Sequence, residues 1–304
     1  MTTGSRDRHG RRREPAVAGS FYPADPARLA RDVGRLLDRA AETTDPTAAE
    51  GGGLLGLLVP HAGLAYSGAV AAIGWSRLAT SVARDGDVTI LLAGTNHLHP
   101  FVGVAVWSGG PWRTPLGDVS VDAPWSDALL ELGDPFGSLD RAHGREHSIE
   151  VQLPLVARAL PEARFVPFLV SLGDLDGCIE AGRRLGRLVV RRRAELGPVA
   201  IVASSDLAHY PPDDVARRVD ATMLEPIASL DPGGLAAREL EIRGAGLPGL
   251  ACGLCGIEPT LLAVSALAEL GATRGLVLAH ATSADVPEGD ADRVVGYAAV
   301  VFVG

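Results

Sequence analysis

Four apolar runs of strand length each end in a polar cluster that carries His or Asp. Leu54–Val59 leads into Pro60-His61-Ala62-Gly63, and Val88–Ala93 into Gly94-Thr95-Asn96-His97. Val199–Ala203 leads into Ser204-Ser205-Asp206-Leu207-Ala208-His209, and Leu276–Leu278 into Ala279-His280. Imidazole titrates near neutrality and is the commonest metal ligand, so these positions suit proton transfer or metal binding. His61 and His97, each at a tight turn, are the first candidates for metal ligands. Asp206 and His209, three residues apart, suit acid–base work, although Asp206 and its two serines also suit the cap of a following segment. His147 stands in Arg145-Glu146-His147-Ser148-Ile149-Glu150, where Ser148 suits a helix N-cap and Glu150 would share the helix face of His147. The order is the reverse of the Glu-x-x-His motif of carboxylate-bridged metal sites. His99, His143 and His280 read as loop or packing residues, and His9 belongs to the N-terminal segment.

Cys252 and Cys255 form a single CxxC. A zinc ribbon needs a second pair, which the chain lacks. Cys252 is therefore a thiolate ligand for the histidine cluster, half of a redox pair, or a buried inert thiol. Cys178 lies in a helical stretch and reads as core. Two imidazoles with a carboxylate and open positions indicate non-haem iron(II), whereas a thiolate in place of the carboxylate moves the preference toward zinc or copper(I). Other chemistry is excluded outright. All 28 basic residues are Arg. Without Lys there is no Schiff base, no Walker-type phosphate loop and no kinase strand lysine.

The elements that position these clusters follow from hydropathy. The strand runs do not alternate in polarity, so they suit strands buried on both faces. Helical patterns occupy about 27–41, 68–84, 148–160, 175–195, 211–229 and 258–270, and residues 294–303 form a last strand, antiparallel at an edge. Strand–helix alternation predicts an α/β fold, a mainly parallel central sheet with helices on both faces. In such sheets ligands bind beyond the carboxyl ends of the strands, so the polar clusters converge if their strands are neighbours. A chain of 304 residues buries roughly three quarters of its surface on folding. Residues 1–13, with five Arg and one Asp, read as a disordered basic tail, and 14–304 as one domain. The net charge of −9 leaves an acidic body that disfavours nucleic acid and anionic membrane. No apolar stretch reaches the roughly 18 residues of a membrane span, and no apolar core follows the N-terminal Arg cluster as in a secretory signal. The cytoplasm is the expected location.

Seven motifs in order carry a resemblance. These are Glu14-Pro15-Ala16-Val17-Ala18-Gly19-Ser20-Phe21-Tyr22-Pro23, Pro60-His61-Ala62-Gly63, Gly94-Thr95-Asn96-His97, Trp112-Arg113-Thr114-Pro115-Leu116-Gly117, Glu146-His147-Ser148-Ile149-Glu150, Ser204 to His209 and Ala251-Cys252-Gly253. Together they resemble the MEMO family, called AmmeMemoRadiSam system protein B in prokaryotes, over about residues 14–303. The resemblance implies a fold like that of class III extradiol dioxygenases of the LigB type. It implies a metal pocket of His61, His97 and Cys252, lined by Asp206, His209 and His147, with His209 at the position of the dioxygenase general base. Arg113 and Glu146 are the expected substrate-binding residues. Iron(II) is the first expected metal, with copper or zinc as alternatives. Radical-SAM and AMMECR-like proteins are expected partners, beside a small molecule or peptide.

Two departures bear on activity. Dioxygenases of this fold use a carboxylate where Cys252 stands, which argues against ordinary ring cleavage. Some relatives carry His where this chain has Cys255, a thiol that adds a ligand, pairs with Cys252 or does neither. The expected activity is a metal-dependent redox step. The alternatives are a non-catalytic metal-binding or adaptor protein and a metal-assisted hydrolase. Protein prepared without air is expected to hold one iron or copper, and His61→Ala and Cys252→Ala each to abolish it, as read by metal analysis.

Overall fold

The computed structural model describes residues 10–43, 53–85, 87–287 and 289–304. Its strands are β1 (Leu54–Val59), β2 (Thr89–Thr95), β3 (Gly103–Val106), β4 (Trp112–Thr114), β5 (Gly117–Val119), β6 (Phe136–Ser138), β7 (Arg164–Ser171), β8 (Val199–Ser204), β9 (Arg274–Thr282) and β10 (Gly296–Val303). Its helices are α1 (Pro26–Thr43), α2 (Leu64–Asp85), α3 (Ala123–Leu130), α4 (Asp140–His143), α5 (Leu153–Ala159), α6 (Leu175–Leu196), α7 (Asp213–Ala228), α8 (Pro232–Gly244) and α9 (Ile257–Glu269). Eight strands form one sheet in the order β6-β3-β7-β2-β8-β1-β10-β9, and β4 pairs with β5 apart from it.

The middle of the sheet is parallel. β1 pairs parallel with β8, β8 with β2, and β2 with β7. Because β2, β8 and β1 are neighbours, the clusters that follow them leave the sheet at the same edge. β10 pairs antiparallel with both β1 and β9, so it is an inner strand and β9 is the edge. His280 on antiparallel β9 is thereby kept out of the convergence, and its Nε2 bonds to Asp220 Oδ2 at 2.8 Å.

Both faces of the sheet are covered, as the unbroken apolar runs require. Along β2, Leu91 and Ala93 enter a core shared with α6, α7, α8 and α9. Ile90 and Leu92 enter a second core shared with α1, α2 and α5. Leu58 against Leu57 and Val59 repeats the same two-residue alternation on β1. α6 starts where the Asp174 side chain accepts from Asp176 N–H and stops at Gly197, whose φ of 92° a side chain would strain. Among the described residues no helix is long and apolar enough to cross a membrane.

The basic N-terminal run differs from the expected tail. Residues 1–9 lie outside the described residues, but Arg11, Arg12 and Arg13 belong to the folded body. Arg11 pairs with Asp140, and Arg12 with Asp118 at 2.8 Å. Arg13 is buried with its guanidinium 4.1 Å from the centre of the Trp112 ring. Its Nη1 donates to Glu150 Oε2 at 2.6 Å, while Nε and Nη2 donate to the carbonyls of His143 and Glu146. Glu150 also accepts from Ala16 N–H, Val17 N–H and the Tyr22 hydroxyl. A buried carboxylate has thus recruited a cation and three neutral donors, which fastens residues 13–22 to the body. Composition reads Arg-rich termini as solvated, and only the tertiary fold supplies this buried anion.

Arg13→Ala leaves the Glu150 charge buried without its cation and is expected to cost about 3–5 kcal/mol. Urea unfolding checks this, and a loss below about 1 kcal/mol would show the pair to be dispensable.

Candidate metal centre

Three imidazoles meet at the carboxyl edge of the parallel strands. One ligating nitrogen each from His61, His97 and His147 can be chosen so that all lie within 4.8 Å of one another. His61 and His97 come from the turns after β1 and β2. His147 comes from the irregular segment between α4 and α5, not from a helix. Its ring stacks on His97 at 4.5 Å between centroids and meets His61 edge-on at 5.5 Å. Phe21, at 4.6 Å from the His147 ring, closes that side.

Close approach of these turns needs small residues. A Cβ on Gly94 would lie 2.5 Å from Ile149 Cγ1 and 2.7 Å from Ser148 Oγ. Gly94 therefore lets the His147 segment lie against the end of β2, where Ser148 Oγ donates to the Thr95 carbonyl at 2.8 Å.

Glu146 organises two of the rings. It is buried, and its Oε1 lies 3.0 Å from His97 Nδ1 and 3.2 Å from His147 Nδ1. The same carboxylate accepts from the backbone N–H groups of His97, His147 and Ser148. Burial works to raise its pKa, but the bonds from His147 and His97 outweigh it and hold the carboxyl well below the usual range. An ionised Glu146 accepts from Nδ1–H of both rings, so each Nε2 carries the lone pair, as in carboxylate–histidine–metal arrangements. Glu146 is expected from the sequence to touch substrate. Its oxygens instead serve the histidines and their backbone.

His61 reaches the same state another way. The Ser204 hydroxyl donates to the Ser148 carbonyl at 2.6 Å, so toward His61 Nδ1, at 3.4 Å, it can only accept. The ring is then protonated at Nδ1 and free at Nε2. Burial pushes the His61 pKa down to about 4, against the pull of Asp206, so the ring is neutral at pH 7. Gln152 ties this corner together, donating to Ser204 Oγ and to the Pro60 carbonyl, both at 2.8 Å.

Asp206 sits beneath the His61 turn. Its Oδ1 accepts from His61 N–H at 2.7 Å and Ala62 N–H at 3.2 Å, and its Oδ2 lies 3.8 Å from His209 Nε2. Burial raises its pKa, yet His61 and His209 hold it below the ordinary aspartate value. His209 Nε2 is buried and has no hydrogen-bond partner among the described residues. The His209 backbone pairs with the CxxC loop, donating to the Cys252 carbonyl at 3.1 Å and accepting from Ala251 N–H at 2.9 Å.

The thiol that meets the imidazoles is that of Cys255. Its Sγ lies 3.3 Å from His97 Nε2 and 3.7 Å from His61 Nε2. Cys252 stands three residues earlier, beside His209, through its backbone. Burial pushes the Cys252 thiol up to about 12, and the Cys255 thiol upward as well. The CxxC spacing alone gives no reason to prefer the second cysteine. What selects it is the Asp206 carbonyl, which accepts from Cys255 N–H at 3.1 Å, and Gly256, which lies against Thr95 and Ser205 where a Cβ would collide. Arg113 lies elsewhere, on β4, with its guanidinium 3.6 Å from both Glu14 and Asp118. Two members of the site lie beyond the reach of sequence patterns. Ser204 is visible there only as part of a capping cluster, and nothing in the sequence points to Gln152.

The donor set fits a metal ion: three imidazoles, two oriented by a buried carboxylate, and one face of the cluster still accessible. Fold and site thus define an α/β protein with a three-histidine centre that can hold a metal. A family model described as Memo-like protein matches residues 13–301. The chain is 37% identical to a MEMO1 family protein of Methanopyrus kandleri over 294 residues, covering 95% of this chain and 98% of that protein. Identity is 35% over 301 residues to one from Ignicoccus hospitalis (95% and 98% covered) and 32% over 294 residues to one from Aquifex aeolicus (96% and 99% covered). The chain belongs to the Memo-like family.

Glu146→Ala is expected to weaken metal binding by about 10–100-fold, read by competition with a chromophoric chelator. Glu146→Gln keeps the volume and the oxygen that faces both rings, but it removes the charge and sets an amide donor against His97 N–H where Oε2 accepts, and should lie between the two. Unchanged affinity in both would remove Glu146 from the centre.

Proposed function

We propose that this chain is a metal-dependent redox enzyme related to extradiol dioxygenases, with iron(II) as the first metal and copper or zinc behind it. The single observation that supports this best is the convergence of His61, His97 and His147, each with an oxygen partner at Nδ1, around one point that the Cys255 thiol also faces. Imidazole donors suit iron, copper and zinc alike, and the preference for iron rests on the family resemblance. When bound, the ion would supply Lewis acidity and, for iron or copper, electron-transfer capacity.

The chain's own groups then have separate tasks. His61, His97 and His147 hold the ion, and Glu146 keeps the two outer rings in the binding tautomer. Asp206 fixes the His61 turn and stands by His209. His209 is the acid–base group, and the Asp206 carboxylate, 3.8 Å from its Nε2, stabilises the cation formed when the ring takes a proton. Phe21 shields the His147 side from water. Cys255, against two of the rings, is the group most exposed to oxidation if O₂ reacts there.

A second reading has one feature in its favour. Three imidazoles without a carboxylate are also the donor set of water-activating zinc sites, which suits metal-assisted hydrolysis.

The test loads iron anaerobically, admits O₂ and follows its consumption over a panel of catechol-type substrates, with nitric-oxide EPR to count accessible iron. Turnover is expected in the native chain and should fall by about 10²–10⁴-fold in His209→Gln at unchanged metal content. Stoichiometric metal without turnover across the panel would favour a metal-binding or adaptor role. Ester or amide turnover with zinc and no O₂ would favour hydrolysis.

A further inference from the structure

One turn sends two histidines to different places. Asn96 Oδ1 accepts from His99 N–H at 3.1 Å, and Asn96 Nδ2 donates to the His99 carbonyl at 2.6 Å. This brace holds His97 against Glu146 and sends the His99 side chain to another place. There, His99 and Leu98 line a cavity of about 300 Å³ with Arg141, Ala142 and Arg145.

The two arginines are short of anions. Among the described residues no carboxylate lies in salt-bridge range of either guanidinium. The nearby acids are engaged elsewhere: Asp140 by Arg11 and Ser108 N–H, Glu146 by two imidazoles and three backbone N–H groups. Two uncompensated cations beside one cavity contrast with a chain whose net charge is −9. His143, on the same short helix, is directed into the core, where its Nε2 bonds to the Ala105 carbonyl at 2.9 Å.

The cavity adjoins the segments that carry two of the imidazoles. His99 is two residues from His97, and Arg145 two from His147. Two residues of chain span at most roughly 7 Å, so the backbone that lines the cavity runs directly into the metal centre.

We propose that Arg141, Arg145 and His99 form an anion subsite that takes the phosphate group of a small phosphorylated substrate whose other end reaches the three-histidine centre. Two guanidinium forks match a tetrahedral dianion in charge and in donor number better than they match one carboxylate. Leu98, 59% exposed at the rim, gives the carbon skeleton an apolar surface to lie on. The role in catalysis rests on the metal-enzyme reading above, whereas the anion site itself does not.

The test titrates inorganic phosphate into chelator-stripped protein by calorimetry. It compares the native chain with Arg141→Gln/Arg145→Gln and with Arg31→Gln/Arg39→Gln on the exposed face of α1, which removes the same charge. Phosphate is expected to bind the native chain and the α1 variant equally, and the Arg141/Arg145 variant at least about tenfold more weakly. Unchanged affinity in the Arg141/Arg145 variant, or an equal loss in the α1 variant, overturns the subsite. Acetate binding as tightly as phosphate overturns the phosphate assignment. If the double variant does not fold, Arg141→Gln and Arg145→Gln are titrated singly. Metal content is measured in parallel on the same proteins reloaded with iron without air, and is expected to be unchanged in all variants. Its absence from the native chain with phosphate binding intact would sink the metal reading and leave the subsite standing.

Discussion

A buried carboxylate that must stay charged is the constraint on which the site depends. Glu146 is removed from water, which by itself would favour its neutral form. It stays ionised because two imidazoles and three backbone N–H groups surround it. The same bonds set the conformation of the 146–148 segment, the turn at His97 and the tautomers of both rings. Glu150, one turn of chain further, repeats the device toward the opposite side. Its ring of donors comes from Arg13, Ala16, Val17 and Tyr22, and it brings Phe21 against His147. Two glutamates four residues apart thus fix the metal centre and the wall that covers it.

The centre differs from a two-histidine, one-carboxylate site in where the negative charge sits. Here the carboxylates of Glu146 and Asp206 stand behind the rings and accept from their N–H groups or their backbone, and the donors that converge are imidazole nitrogens. A thiol takes the place beside His61 and His97. A metal held this way would keep more positive charge than one bound by a carboxylate.

Much of the fold is legible in the chain. β1 has the bounds that hydropathy assigns to it, because six apolar residues between a Gly-rich stretch and Pro60 leave no other element of that length. Helices α1, α2, α6, α7 and α9 are evident because their apolar positions recur at helical spacing, whereas α8 and the inner strand β7 are not among the elements that hydropathy assigns. The strands β3, β4, β5 and β6 are not, being three or four residues long and without a pattern that stands above noise. Periodicity makes the 148–160 segment one helix. It opens instead with a turn and a 3-10 stretch at Glu150–Gln152, because Glu146 and Glu150 draw the backbone into other bonds before α5 begins. β10 is an inner strand where an edge strand was expected, and β9 occupies the edge, a matter of pairing that hydropathy does not encode.

What the sequence alone determined is the set of groups and their strand ends: His61, His97, Asp206 and His209 follow apolar runs, and apolar runs of that length make buried strands. The absence of Lys by itself narrowed the chemistry to His, Cys, Arg and carboxylates. The tertiary structure decided which of them meet. It joined His147 to His61 and His97, turned Glu146 behind the rings, chose the Cys255 thiol as their neighbour and left Arg113 with Glu14 and Asp118. The physical reason is that strand order and the hydrogen bonds of buried carboxylates join residues far apart in the chain, and local sequence carries no record of those pairings.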